Sequence, residues 1–153
     1  MKTQFYIDRQ FGHPIHLNVE NAIFTGCTHK GKMEDKITEK YKGKFISEVK
    51  ELFETAFKGT YACIHSSDYT SLLRQHDAWS TRMRQKWNRI SSIGCPKDLQ
   101  KSLKDSIDID RKKQYRVELQ LRDKYIELKN THGFVFYENK FGDLGGKLED
   151  LDD

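Results

Sequence analysis

An α+β fold is the class this sequence predicts: a small antiparallel sheet, built from an N-terminal hairpin and a C-terminal strand, packed against three or four helices. Three observations predict it. Apolar residues fall at every second position near the N-terminus, in "TQFYIDR" and "IHLNVE". They recur at three- and four-residue steps through long stretches between residues 32 and 130. The composition suits a folded globule: 153 residues with nine Phe, seven Tyr and two Trp supply a core, although 33% are charged and the mean hydropathy is −0.82. A chain of this length buries enough surface to fold without a metal or a disulfide.

In chain order, Phe5 and Ile7 share one side of a first strand. After the turn "QFGHP", Ile15, Leu17 and Val19 share one side of a second, with "AIFTGC" continuing it past a bend. From Lys32 to about Lys58 the period becomes helical, with Met33, Ile37, Tyr41, Phe45, Val49, Leu52, Phe53 and Ala56 on one face. Gly43 lies within that run, and its cost of roughly 1 kcal/mol predicts tolerance rather than a break; Gly59 is the expected stop. "TYACIH" reads as a strand or a connector. "SSDYTSLL" then caps a helix from about Asp68 to Ser92, whose buried stripe includes Tyr69, Leu72, His76, Trp79, Met83, Trp87 and Ile90. Pro96 opens a shorter helix bearing Leu99, Leu103 and Ile107. "QYRVELQLRDKYIELKN" fits either period, and its Glu, Gln, Leu, Lys and Arg favour helix. "FVFYEN" is the C-terminal strand. Residues 1–142 are expected as one domain and 143–153 as a flexible acidic tail, since "EDLDD" holds four acids and no base.

The net charge of +4 comes from 27 basic and 23 acidic residues, so the excess is modest and its distribution matters more. Arg82, Arg84, Lys86, Arg89, Lys97, Lys101 and Lys104 fall within 23 residues, opposed by Asp98 alone. On a helical projection Met83 and Trp87 sit inside the apolar arc, Arg82, Lys86 and Arg89 on one flank and Arg84 on the other. The indoles are therefore expected inside, leaving a cationic rim without stacking aromatics. A charge run is ordinarily a solvated face, but this density steers a polyanion. The expected function is a non-catalytic binding protein whose partner is nucleic acid, or the acidic surface of a protein that handles nucleic acid. No helix-turn-helix, zinc-finger or RNP pattern indicates sequence-specific recognition.

Two catalytic or metal constellations compete with that reading. Asp108 and Asp110 in "SIDID", followed by Glu127 and Lys129 in "YIELK", resemble the carboxylates and lysine of metal-dependent nucleases of the PD-(D/E)xK kind. The resemblance covers some 20 residues, and it implies a divalent cation at a strand-borne site. Cys27 with His29 and Cys63 with His65 offer two pairs of zinc-type ligands, though one intervening residue is fewer than structural zinc sites use. No cofactor is expected. A third reading is a protein-only regulator or inhibitor. Three widely spaced cysteines, no secretory signal and no apolar run of membrane-spanning length predict a cytoplasmic setting with reduced thiols.

Overall fold

Side-chain alternation decides the first half of the structure and helical periodicity the second. A computed structural model describes residues 2–9, 12–57, 62–134, 136 and 146–151. The chain divides into two compact units, residues 1–70 with 124–141 and residues 71–123 with 142–153. The α+β class is observed.

The first unit holds a four-stranded antiparallel sheet of β1 (Lys2–Arg9), β2 (Ile15–Glu20), β3 (Ile23–Cys27) and β4 (Ala62–Ser66), in the order β3-β2-β1-β4. Phe5 pairs with Leu17, and Ile7 with both Ile15 and Ile64, so one face is continuously apolar. Helices α1 (Lys32–Tyr41) and α2 (Ile46–Ala56) add Ile37, Tyr41, Ile46, Val49 and Phe53 to the same core, which Leu128 and Phe136 complete. Most of the expected C-terminal strand lies outside the described residues; Phe136 is buried, and its carbonyl accepts from Ser66 N–H at 2.7 Å. On the same edge strand Ile64 N–H donates to Glu54 Oε1 at 3.1 Å, and Lys50 Nζ holds that carboxylate at 2.6 Å. These bonds satisfy two amides on that edge.

Two expectations are corrected here. "AIFTGC" does not prolong the second strand past a bend. It is the separate strand β3, because Asn21 and Ala22 adopt φ of 52° and 65° and reverse the chain. Two successive positive φ values are the mark of the tight hairpin turn that normally carries glycine. An L-alanine there bears about 1–2 kcal/mol of strain, so Ala22→Gly is expected to stabilise the protein by roughly 0.5–1 kcal/mol after the added chain entropy is subtracted. A urea midpoint that falls in this variant would contradict the turn assignment.

The run from Lys32 to Lys58 is not one helix but α1 and α2. Gly43, at φ +90°, breaks it, and residues 43–46 leave the helical path to bond β3. Gly43 N–H donates to Phe24 O at 2.9 Å, Phe24 N–H to Lys44 O at 2.9 Å and Ile46 N–H to Ala22 O at 2.8 Å. These bonds offset the broken helical ones, which a periodicity argument does not register. The break also shifts the apolar face: Phe45 and Leu52 are exposed, and Ile46 is buried. The expected stop at Gly59 lies outside the described residues.

His132 closes one side of this core. Its ring stands edge-on to Phe5 at 5.5 Å and Phe136 at 5.3 Å, and its Nδ1 is buried without a hydrogen-bond partner among the described residues. Burial pushes its pKa below the usual histidine value, with Glu127 opposing weakly. The folded state therefore takes up the proton at lower pH than the unfolded state. Stability is full above about pH 6.5 and declines as pH falls from there toward the folded pKa, by at most about 1.4 kcal/mol per pH unit. Urea unfolding between about pH 7 and pH 5 is expected to show this loss in the native chain and less of it in His132→Phe. Equal slopes in the two proteins would contradict it.

The second unit is helical. It contains residues 71–90 of α3 (Ser67–Ile90) and 97–123 of α4 (Lys97–His132). Helix α3 starts where Ser66 Oγ accepts from Tyr69 N–H at 3.3 Å, and the turn that follows it holds Gly94 at φ +82°. The two helices expected after Pro96 are one, since nothing between Ile107 and Tyr115 breaks the path. Partners on α4 advance as those on α3 recede: Lys86 with Ser106, Ser80 with Gln114 and His76 with Glu118, at 2.6, 2.6 and 3.0 Å. The pair is therefore antiparallel, and its seam is largely polar, with Trp79, Ile107 and Val117 as its buried apolar members. In the described part of the tail, Leu148–Asp150 form a 3-10 turn. Gly146 lies so close to α3 that an added Cβ would stand 2.3 Å from Arg74 O. Among the described residues no helix is long and apolar enough to cross a membrane.

Candidate nucleic-acid interface

The seven expected cations separate into two groups. Asp110, whose side chain is 4% exposed, takes Lys86 Nζ onto Oδ2 at 2.5 Å, and Arg82 Nε lies 3.8 Å from Oδ1. Lys86 also donates to Ser106 Oγ, and Arg82 covers the Trp79 ring at 5.5 Å, with Lys113 at 5.3 Å from the same ring. Both residues thus work inside the helical pair, which corrects their assignment to an open cationic rim. Their spacing of four carries both onto the side of α3 that meets α4.

Arg84, Arg89, Lys97, Lys101 and Lys104 are exposed. Among the described residues none of these five forms an ion pair; Arg84 donates to Thr81 Oγ1 at 3.4 Å within its own helix. The antiparallel register sets the last turns of α3 alongside the first turns of α4. The five therefore share the end of the pair where the chain turns from one helix to the other, Arg84 and Arg89 on opposite flanks of α3. Asp98 is the acid among them. Further along α4, Lys112 and Arg116 are exposed beside Tyr115, which is itself exposed, and with Arg111 they line an open cleft of about 420 Å³. Asp105 and Asp108 lie between the two cationic groups.

Trp87 overturns the expectation of inward indoles. Trp79 is 3% exposed, whereas Trp87 is 48% exposed. Trp87 lies about 80° around the helix from Trp79 at 100° per residue. A single partner helix covers only a narrow strip, and α3 meets α4 through His76, Ser80, Arg82 and Lys86. An exposed indole therefore stands beside Arg84, three residues before it and about 60° around the helix, while Arg89 lies on the far flank of α3. No sequence signal marks it, because the projection places Trp87 well inside the apolar arc.

The nuclease-like set is not assembled. Asp108 and Asp110 lie on a helix, where residues two apart point to different sides; Asp108 is exposed, and Asp110 is buried against Lys86. Glu127 and Lys129 are helical too, and Glu127 pairs with Lys124 at 3.0 Å. The strand that the resemblance requires is absent at those positions. His76, expected at the core edge with a bonded neighbour, meets Glu118 at 3.0 Å; the bonds from His76 and Arg111 hold that carboxyl below the usual range.

The zinc-type set is dispersed as well. Cys27 belongs to β3 and Cys63 to β4, the two outer strands, about 14 Å apart across three strand spacings. Among the described residues no three His, Cys, Asp or Glu side chains converge as a metal site would need. His65 instead joins a row across the sheet's second face. Its Nε2 lies 3.7 Å from Asp8 Oδ2, its ring 5.4 Å from Tyr6, and Tyr6 stands 6.4 Å from His16, which meets His29 at 5.7 Å. Tyr6 Oη donates to Thr70 Oγ1 at 3.1 Å. In the first unit an open cleft of about 540 Å³ beside α2 is lined by Lys50, Glu51 and Glu54, of which Lys50 and Glu54 pair with each other.

No family model matches the chain, and no curated protein or solved structure does. Any functional assignment therefore rests on the geometry above.

Proposed function

We propose that the chain is a non-catalytic, cytoplasmic nucleic-acid-binding protein that engages its partner through the cationic end of the α3–α4 pair. The observation that carries the reading is the group Arg84, Arg89, Lys97, Lys101 and Lys104, exposed and without carboxylate partners among the described residues. Unpaired cations at one end create a local field that concentrates phosphate. Nothing in the arrangement reads base edges in a groove, so the contacts are to backbone and largely independent of sequence. Solvated ion pairs of this kind are individually weak, of order 0–1 kcal/mol, and act by number and by counterion release.

Electrophoretic binding to oligonucleotides at low salt tests this, with polyglutamate as competitor. Binding that survives an equal charge concentration of polyglutamate but yields to unlabelled nucleic acid supports the reading. Capture by polyglutamate alone would replace nucleic acid with an acidic protein surface.

A further inference from the structure

The exposed indole specifies the form of nucleic acid. We propose that this face takes single-stranded nucleic acid and that Trp87 is the platform on which an unpaired base stacks. The inference rests on the cationic reading above and adds the partner's strandedness to it.

Trp87 is the less protected of the two tryptophans, 48% exposed against 3% for Trp79. Leaving roughly 100 Å² of an indole in water forgoes about 2.5 kcal/mol of burial. Its surroundings select the ligand that would cover it. An apolar protein surface would have to desolvate Arg84 and the neighbouring lysines, which is costly without counter-charges. A nucleotide brings both requirements together: a flat aromatic face for the indole and a phosphate for the cations beside it. The bonds from Lys86 to Ser106 and from Ser80 to Gln114 set residues about 105–107 of α4 level with Trp87. Lys104 therefore lies within about a turn of that level and Lys101 beyond it, with Asp105 and Asp108 as the acids at that level. In a duplex the base faces are stacked on one another and closed to an outside ring, so only an unpaired strand offers them. Tyr115, 55% exposed between Lys112 and Arg116, repeats the combination of ring and cations farther along α4.

The test uses the full chain, a short fluorescein-labelled oligothymidylate and a duplex of matched length. Titrating unlabelled oligothymidylate is expected to quench the intrinsic emission of the native protein, and Trp87→Phe is expected to lose most of that quenching. By anisotropy, Trp87→Ala should bind the single strand about 5- to 150-fold more weakly, the range that loss of one stacked base produces, with duplex binding changed less than about twofold. Trp87→Phe should recover most of the single-strand affinity because it keeps an aromatic face. Single-strand binding without quenching, unaffected by Trp87→Ala, would overturn the stacking role and leave the cationic reading intact; so would tighter binding to the duplex. Absence of binding to both probes would overturn the cationic reading itself. The quenching arm needs no substitution, so a variant that failed to fold would not rescue the proposal.

Discussion

Replacing Arg84, Arg89, Lys97, Lys101 and Lys104 together with alanine is expected to weaken oligonucleotide binding by at least about 100-fold at low salt, with folding unchanged. The magnitude follows from counterion release. Five single-strand phosphate contacts correspond to a slope of about −3.5 in log affinity against log salt. That slope alone loses about 100-fold between roughly 50 and 200 mM salt, and removing the contacts forfeits at least as much at the lower salt. Folding should persist because all five side chains are exposed and carry no ion pair among the described residues. The change also takes the formal net charge from +4 to 4 − 5 = −1, so a control of equal charge is needed. Alanine at Lys32, Lys36, Lys40, Lys42 and Lys129, which are exposed in the other unit, supplies it. The control is expected to lose less than about tenfold, since exposed charges that make no phosphate contact act only through a salt-screened field. Equal losses in the two variants would mean that net charge alone attracts the nucleic acid and that no site exists.

Asp110→Ala is expected to destabilise the helical unit by about 3–5 kcal/mol, the range for removing one partner of a buried ion pair. The Asp110 side chain is 4% exposed and that of Lys86 16%, so the deletion strands an ammonium in the seam with Ser106 Oγ as its remaining partner among the described residues. The same seam holds few large apolar side chains to compensate. Asp110→Asn keeps an acceptor and should cost less. The joint change Lys86→Met with Asp110→Leu should recover much of the loss, because a packed apolar pair of similar volume replaces two desolvated charges. Helical circular dichroism followed through urea measures all three. A loss below about 1 kcal/mol in Asp110→Ala would contradict the buried-pair description and restore Asp110 as a residue available to a ligand.

Local chemistry announced the parts of the fold that depend on local chemistry. The pairing of β1 with β2 follows from alternation in "TQFYIDR" and "IHLNVE", and Ser66 caps α3 as a serine before an apolar run should. The division at Gly43 was not legible, because a helical glycine costs little and the apolar period continues across it. What decides the point is backbone pairing of residues 43–46 with β3, a contact some 20 residues away in sequence. The candidate site was half legible for a related reason. Charge density identified the stretch from Arg82 to Lys104, but which cations are spent depends on where Asp110 lands. That position requires α4 to be continuous and its register with α3 to be known. Trp87 shows the same limit from the apolar side. Periodicity assigns a residue to an arc, and the width of the arc that is covered depends on the partner.

The salt dependence of single-strand binding by the native chain, repeated for each single alanine variant of the five cations, tests the central claim most directly. The expected result is a slope of about −3.5 that becomes shallower by about 0.7 with each substitution, while Lys86→Ala leaves the slope unchanged because Lys86 is committed to Asp110. A flat salt response, or a slope that these substitutions do not alter, would contradict the account.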